Sequence, residues 1–287
     1  VSYSGWHIAL VAVALLVSSS RLLDIPVNGM LLLASAAGAF LVYWLDRAWG
    51  RAEDYMNHPE REGWWMTRSR MKWTGAALLV SVALWAGLQL PARVLWIGLG
   101  LGAIGLAYTG PWGQWSLKVK AGRARAVLVA GVWGTAVVVL PVAAMTAAGA
   151  QAGIGIQAGI GIQAGWPVVM LLAAYRSAWL IPNTLATEYH GRGGDRSAGM
   201  RNVTHDWTRS RLTFWTWISI LLAVCCAVLL PVVEPTVPGW MLMLDVVGLL
   251  AIGVYIGGVG SITGPAIFVL DLMVVWPLVP ALFAGAN

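Results

Sequence analysis

Four acidic side chains, Asp46, Asp54, Glu188 and Asp195, fall in two short polar stretches of an otherwise oily chain. The first stretch runs from Asp46-Arg47 to Lys72 and also holds Glu53, Glu60 and Arg61; the second runs from Asn183 to Arg211 and also holds Arg196 and Arg201. Each opens at the end of a long apolar run, where charge is costly to bury unless it is paired or used. Carboxylates with arginines close by can hold a magnesium-bridged diphosphate, because magnesium takes hard oxygen ligands and arginine grips phosphate oxygens with two N–H groups. Two such clusters at matching positions in two halves of a membrane protein predict one shared polar site. On that reading Asp46, Asp54, Glu188 and Asp195 are the metal ligands.

The elements that must position these groups are membrane helices. Of the 287 residues 59% are hydrophobic and only 10% charged, against about a quarter charged in a soluble domain. Nine spans are predicted, at about 6–23, 26–46, 73–90, 92–109, 125–148, 166–187, 212–233, 239–258 and 262–284, each near the roughly 20 residues that cross a bilayer. Helices are expected because lipid leaves no partner for open backbone groups. The expected fold is therefore an all-α integral membrane protein, a single domain over 1–287. Two motif-bearing parts, about 1–148 and 166–287, flank an external loop at 149–165, which carries a QAGIGI repeat read as a tolerated duplication.

Most of the basic residues sit in three loops of one parity: Arg47, Arg51, Arg61, Arg68, Arg70 and Lys72; Lys118, Lys120, Arg123 and Arg125; Arg192, Arg196, Arg201, Arg209 and Arg211. That bias puts the N-terminus and both acidic stretches in the cytoplasm and the C-terminus outside, as in a bacterial or archaeal inner membrane. The first apolar run has no positive leader and is expected to stay as a helix rather than be cleaved. The net charge of +6 has no soluble basic domain to present it, which excludes a nucleic-acid binder. Adjacent Cys225 and Cys226 lie inside an apolar run and suit neither a disulfide framework nor a metal site.

The spacing carries a resemblance. Asn183 is followed by Glu188 at plus five, Asp195 at plus twelve and Gly199 at plus sixteen, with Gly191 at plus eight; Asp46 follows Val42 and precedes Gly50 and Asp54. This resembles the two aspartate-rich motifs of the UbiA superfamily of intramembrane prenyltransferases. In those motifs the plus-eight residue and the residue four after the first aspartate are acids, and an asparagine stands in place of Val42. Tyr108 followed by Lys118 and Lys120 is similar to the family's tyrosine-then-lysine segment at the diphosphate. The resemblance implies a UbiA-like bundle around a central cavity, with magnesium, an isoprenyl diphosphate and a lipophilic acceptor as partners in the membrane. It further implies that Asp46, Asp195 and Asn183 are catalytic, that Arg47, Lys118, Lys120, Arg196 and Tyr108 bind substrate, and that Asp46, Asp54, Glu188 and Asp195 hold the metal.

Other readings stand beside this one. With acids replaced by glycine, the chain is alternatively a non-catalytic subunit of a larger membrane complex that binds a pigment, quinone or lipid, or a terpene cyclase. Asp245 and Asp271 lie inside spans and are read as hydrogen-bonded to a neighbouring helix or paired with Arg176, with an ion path as the sharper option. His58, His190 and His205 read as solvated polar residues. Of the 18 tryptophans most suit interfacial anchoring, while Trp44, Trp49 and Trp179 either pack or lend a π face to a cation.

Overall fold

A computed structural model describes residues 5–49, 56, 63–65, 67–112, 115–151 and 165–284. Asp54, His58, Glu60 and most of the QAGIGI repeat lie outside the described residues. The helices are α1 His7–Leu22, α2 Gly29–Ala48, α3 Ser69–Leu88, α4 Ala92–Thr109, the short α5 Leu117–Ala121, α6 Arg125–Gln151, α7 Trp166–Ser197, α8 Arg209–Val233, α9 Gly239–Gly258, α10 Gly264–Met273 and α11 Leu278–Phe283. This is an all-helical integral membrane protein: among the described residues eight apolar stretches are long enough to span a bilayer, and α1 is an additional shorter apolar helix. Its 16 residues rise about 24 Å, short of a core about 30 Å thick. The ninth expected span is broken into α10 and α11, because Pro277 at the junction lacks the N–H that would bond back to Met273.

The helices alternate in direction. Arg209, at the start of α8, donates to the carbonyls of Ile256 and Val259 at the end of α9. His7 at the start of α1 packs against Tyr43 near the end of α2, and Lys118 in α5 meets Asp46 in α2. The ends of α2, α4, α7 and α9 and the starts of α1, α6, α8 and α10 therefore share one end of the bundle, hereafter the charged end.

The largest core cluster joins α1, α6, α7, α8, α9 and the C-terminal pair, with Leu15, Leu172, Leu212, Leu249 and Leu270 fully buried. The exposed apolar side chains, among them Leu78, Leu88, Trp96, Leu221 and Val254, form the surface that lipid covers. The α6–α7 contact is close because Gly134 lets the backbones meet: a methyl at that position would fall on the backbone nitrogen and hydroxyl of Ser177. Gly134→Ala is expected to force the two helices apart and lower stability by about 1–3 kcal/mol. Thermal unfolding in detergent checks this; an unchanged midpoint would contradict the close approach.

Candidate active site at the charged end

Arg125 opens α6 at the place where the polar loop turns back into the membrane. It is 5% exposed, and an arginine so deep needs anionic partners. It has two. Its Nε and Nη2 donate to both carboxylate oxygens of Glu188, and Nη2 also donates to Oδ2 of Asp195. Glu188 and Asp195 are seven residues apart on α7, so two helical turns bring them to the same face. Nη1 of Arg125 is buried and has no hydrogen-bond partner among the described residues.

The loop after α7 completes the arrangement. Gly199 has φ +70°, a left-handed conformation that glycine adopts without steric cost. Met200 N–H then donates to Asp195 O and Gly199 N–H to Arg196 O, the paired bonds that close a helix end. The chain so reversed sends Asn202 back over the acids. Its Nδ2 donates to Asp195 Oδ2 and to the Glu188 carbonyl, while its Oδ1 accepts from the Thr204 backbone and hydroxyl. Neither Arg125 nor Asn202 stood out in the sequence as a site residue. The available signals were an arginine at the first position of an apolar helix and the turn-forming Asn202-Val203-Thr204.

Around Arg125 the remaining elements converge. Tyr108, one residue before the end of α4, lies in electrostatic reach of Arg125, Lys118, Glu188 and Asp46. Lys118 Nζ is 3.6 Å from Asp46 Oδ1. The structure thus brings Asp46, Tyr108, Lys118, Glu188 and Asp195 into one polar cluster at the charged end. Val42, at the position of the motif asparagine, packs against Gly105 of α4 instead of entering it.

Other expected site residues are placed elsewhere. Arg47 donates to the Tyr43 hydroxyl and lies over its ring. Lys120 is exposed and lies over the Trp115 ring. Arg196 is largely exposed, bonds Asp206 and the His205 carbonyl, and helps to line an outer pocket of about 320 Å³ with Arg192, Gly193, His205, Asp206 and Trp207. His205 is half-buried rather than fully solvated, within electrostatic reach of Asp195, and burial pushes its pKa below the usual histidine value. Asn183 is five residues before Glu188 on α7 and donates to Asp271. Trp44 packs edge-on to Phe40 and Trp65 and donates to the Lys72 carbonyl, so its ring serves packing. Trp179 is fully buried in the core, and Trp49 packs beside Trp44.

No protein-family model and no curated protein matches the sequence. Solved structures do match. A UbiA homolog from Aeropyrum pernix K1, in its apo form, superimposes with a TM-score of 0.65 at 14% identity, over 97% of this chain and 95% of the other. The chain has the UbiA fold. A UbiA homolog from Archaeoglobus fulgidus superimposes with a TM-score of 0.63 at 12% identity, over 99% of this chain and 97% of the other. A UbiA homolog from Archaeoglobus fulgidus bound to GPP and Mg2+ gives 0.60 at 14% identity, over 99% of this chain and all of that one. Within this fold α2 carries Asp46 and α7 carries Glu188 and Asp195, and these three acids reach the cluster around Tyr108.

The carboxylates of this UbiA-fold protein can be tested as magnesium ligands by what already holds them. Among the described residues no group of three or more acidic, histidine or cysteine side chains forms a metal cage. Magnesium needs none: it keeps several waters and takes one or two carboxylates with substrate phosphates. Glu188 has both oxygens committed to Arg125 and is a poor ligand as arranged. Asp195 engages Arg125 and Asn202 through Oδ2 alone and fits the role; Asp46, 3.6 Å from Lys118 Nζ, is the carboxylate that α2 brings to the same cluster.

Proposed function

We propose that the protein transfers a prenyl group from an isoprenyl diphosphate to a lipophilic acceptor within the membrane, with magnesium, at the charged end of the bundle. Asp46 and Asp195 would hold the metal, which when bound neutralises the charge that builds on the leaving diphosphate. The chain's own cations do the rest. Lys118 stands beside Asp46 as a mobile charge for a phosphate oxygen, and Arg125 Nη1 is a buried donor waiting for an acceptor. Fixed donors aimed at developing negative charge are the largest common source of rate enhancement. The Tyr108 hydroxyl completes the polar lining, and the apolar helices below keep water from an allylic cation.

The observation that carries this reading is the buried Arg125 with an unused N–H, set among Asp46, Lys118, Tyr108, Glu188 and Asp195 in a fold whose solved relative binds GPP and Mg2+. Calorimetric titration with geranyl diphosphate tests it. Binding is expected in magnesium and not in EDTA, and Asp195→Ala and Asp46→Ala are each expected to weaken it at least tenfold (~1.4 kcal/mol). Binding that needs neither residue nor metal would remove the reading.

One observation favours a second reading, a UbiA-like subunit that binds a lipid, pigment or quinone without turnover. The Arg125 guanidinium already pairs with both Glu188 and Asp195. In that case no diphosphate binding is expected at any magnesium concentration.

A further inference from the structure

His7 opens α1 and is 4% exposed. It is enclosed by the edges of aromatic rings: Phe268 with centroids 5.4 Å apart, Tyr43 at 6.0 Å and Trp6 at 6.3 Å. Its Nε2 is 3.0 Å from Asp271 Oδ2. The other oxygen of the same carboxylate, Oδ1, accepts from Asn183 Nδ2 at 3.0 Å. Three helices, α1, α7 and α10, thus meet at one carboxylate.

Asp271 accepts on both oxygens; in the imidazole tautomer that donates Nε2–H to it and carries no second proton, Nδ1 is an acceptor. That Nδ1 is buried and has no hydrogen-bond partner among the described residues; neither has Oδ1 of Asn183. Two acceptors without donors, both anchored to one carboxylate, are an expensive arrangement in an apolar interior. A ligand that brings an O–H to Nδ1 relieves one of the two. The cluster also has a definite depth. Asn183 precedes Glu188 by five residues on α7, which puts it about 7.5 Å further into the membrane than the acids around Arg125.

We propose that His7 and Asn183, set by Asp271, bind the protic head group of a lipophilic ligand, a hydroxyl or phenol whose O–H is donated to His7 Nδ1. Taking the occupant to be the prenyl acceptor rests on the function proposed above. In that reading the acceptor oxygen bonds to C1 of the prenyl group, and the C1–O bond to the diphosphate breaks with its electron pair left on the diphosphate. The hydroxyl proton passes to His7 Nδ1.

The probes are 4-nonylphenol and its methyl ether, alike in shape except for the O–H, titrated into purified protein without diphosphate or magnesium. The chain has four histidines, so ¹⁵N-histidine spectra are sparse and the His7→Phe variant assigns the His7 signal. The phenol is expected to shift the His7 Nδ1 resonance and to bind at least tenfold tighter than the ether, and His7→Phe is expected to erase that preference. Equal affinities for the two probes, a His7 resonance that does not move, or a preference that survives in His7→Phe would each overturn the proposal. The wild-type affinities for the phenol and the ether decide it even if the variant does not fold. A phenol preference in a protein that binds no diphosphate would keep this subsite and remove the transferase reading; the reverse result would remove only the subsite.

Discussion

Arg125→Met is expected to destabilise the protein by about 3–5 kcal/mol, because it strands two buried carboxylates that now share one guanidinium. Glu188 and Asp195 are 8% and 3% exposed, and in the wild type Arg125 takes both oxygens of the first and one of the second. The Asn202 bond to Asp195 remains in the variant, but one neutral donor does not offset two negative charges in a dry site. Arg125→Lys is expected to recover only part of the loss, since an ammonium lacks the planar fork that bridges both acids. Removing the charges as well, in Arg125→Met/Glu188→Gln/Asp195→Asn, is expected to restore most of it. Thermal unfolding in detergent reads all three variants. A single Arg125→Met variant as stable as the wild type would mean that water, and not Arg125, neutralises the acids.

The second large effect lies deeper. Arg176 and Asp245 are both 0% exposed. Arg176 Nη1 donates to Asp245 Oδ2 at 2.9 Å, Nη2 to Ser18 Oγ at 2.6 Å and Nε to Ser19 Oγ at 3.2 Å. The Tyr175 hydroxyl donates to the same Asp245 oxygen at 3.3 Å. The network ties α1, α7 and α9 together. Asp245→Leu is expected to cost about 3–5 kcal/mol, because it leaves a guanidinium alone in the core, whereas Arg176→Met/Asp245→Leu removes both charges and is expected to lie close to the wild type. The comparison of single and double variants separates a missing partner from a filling defect: a double variant no more stable than the single one would assign the loss to packing.

Much of this was legible in the residues. Apolar runs of spanning length force helices, and the charge bias along the loops groups the acids at one end. The pairing of Asp245 with Arg176 and the hydrogen bond of Asp271 to a neighbouring helix follow from the cost of an unpaired acid in lipid. The spacing of Glu188, Asp195 and Gly199 was readable because α7 holds all three in one helix and its cap. What escaped depends on contacts between distant segments. Arg125 reads as one more basic loop residue until α6 is seen to begin against α7. Asn202 reads as loop until Gly199 reverses the chain. Asn183 reads as part of the acidic motif, yet its side chain turns to Asp271, and no local pattern encodes that choice. Arg196 and Lys120 have the right charge and fall on the wrong faces. The break between α10 and α11 was signalled by Pro277 and obscured by the unbroken hydrophobicity around it.

The central claim is that the acidic ends of α2 and α7 build one diphosphate site. A double-mutant cycle on geranyl diphosphate affinity tests it most directly, with wild type, Asp46→Ala, Asp195→Ala and the combined variant measured at one magnesium concentration. A shared site predicts that the double variant loses less than the sum of the singles, with a coupling of about 0.5–3 kcal/mol. Losses that add within about 0.5 kcal/mol, or an Asp46→Ala variant that binds like the wild type, would contradict it.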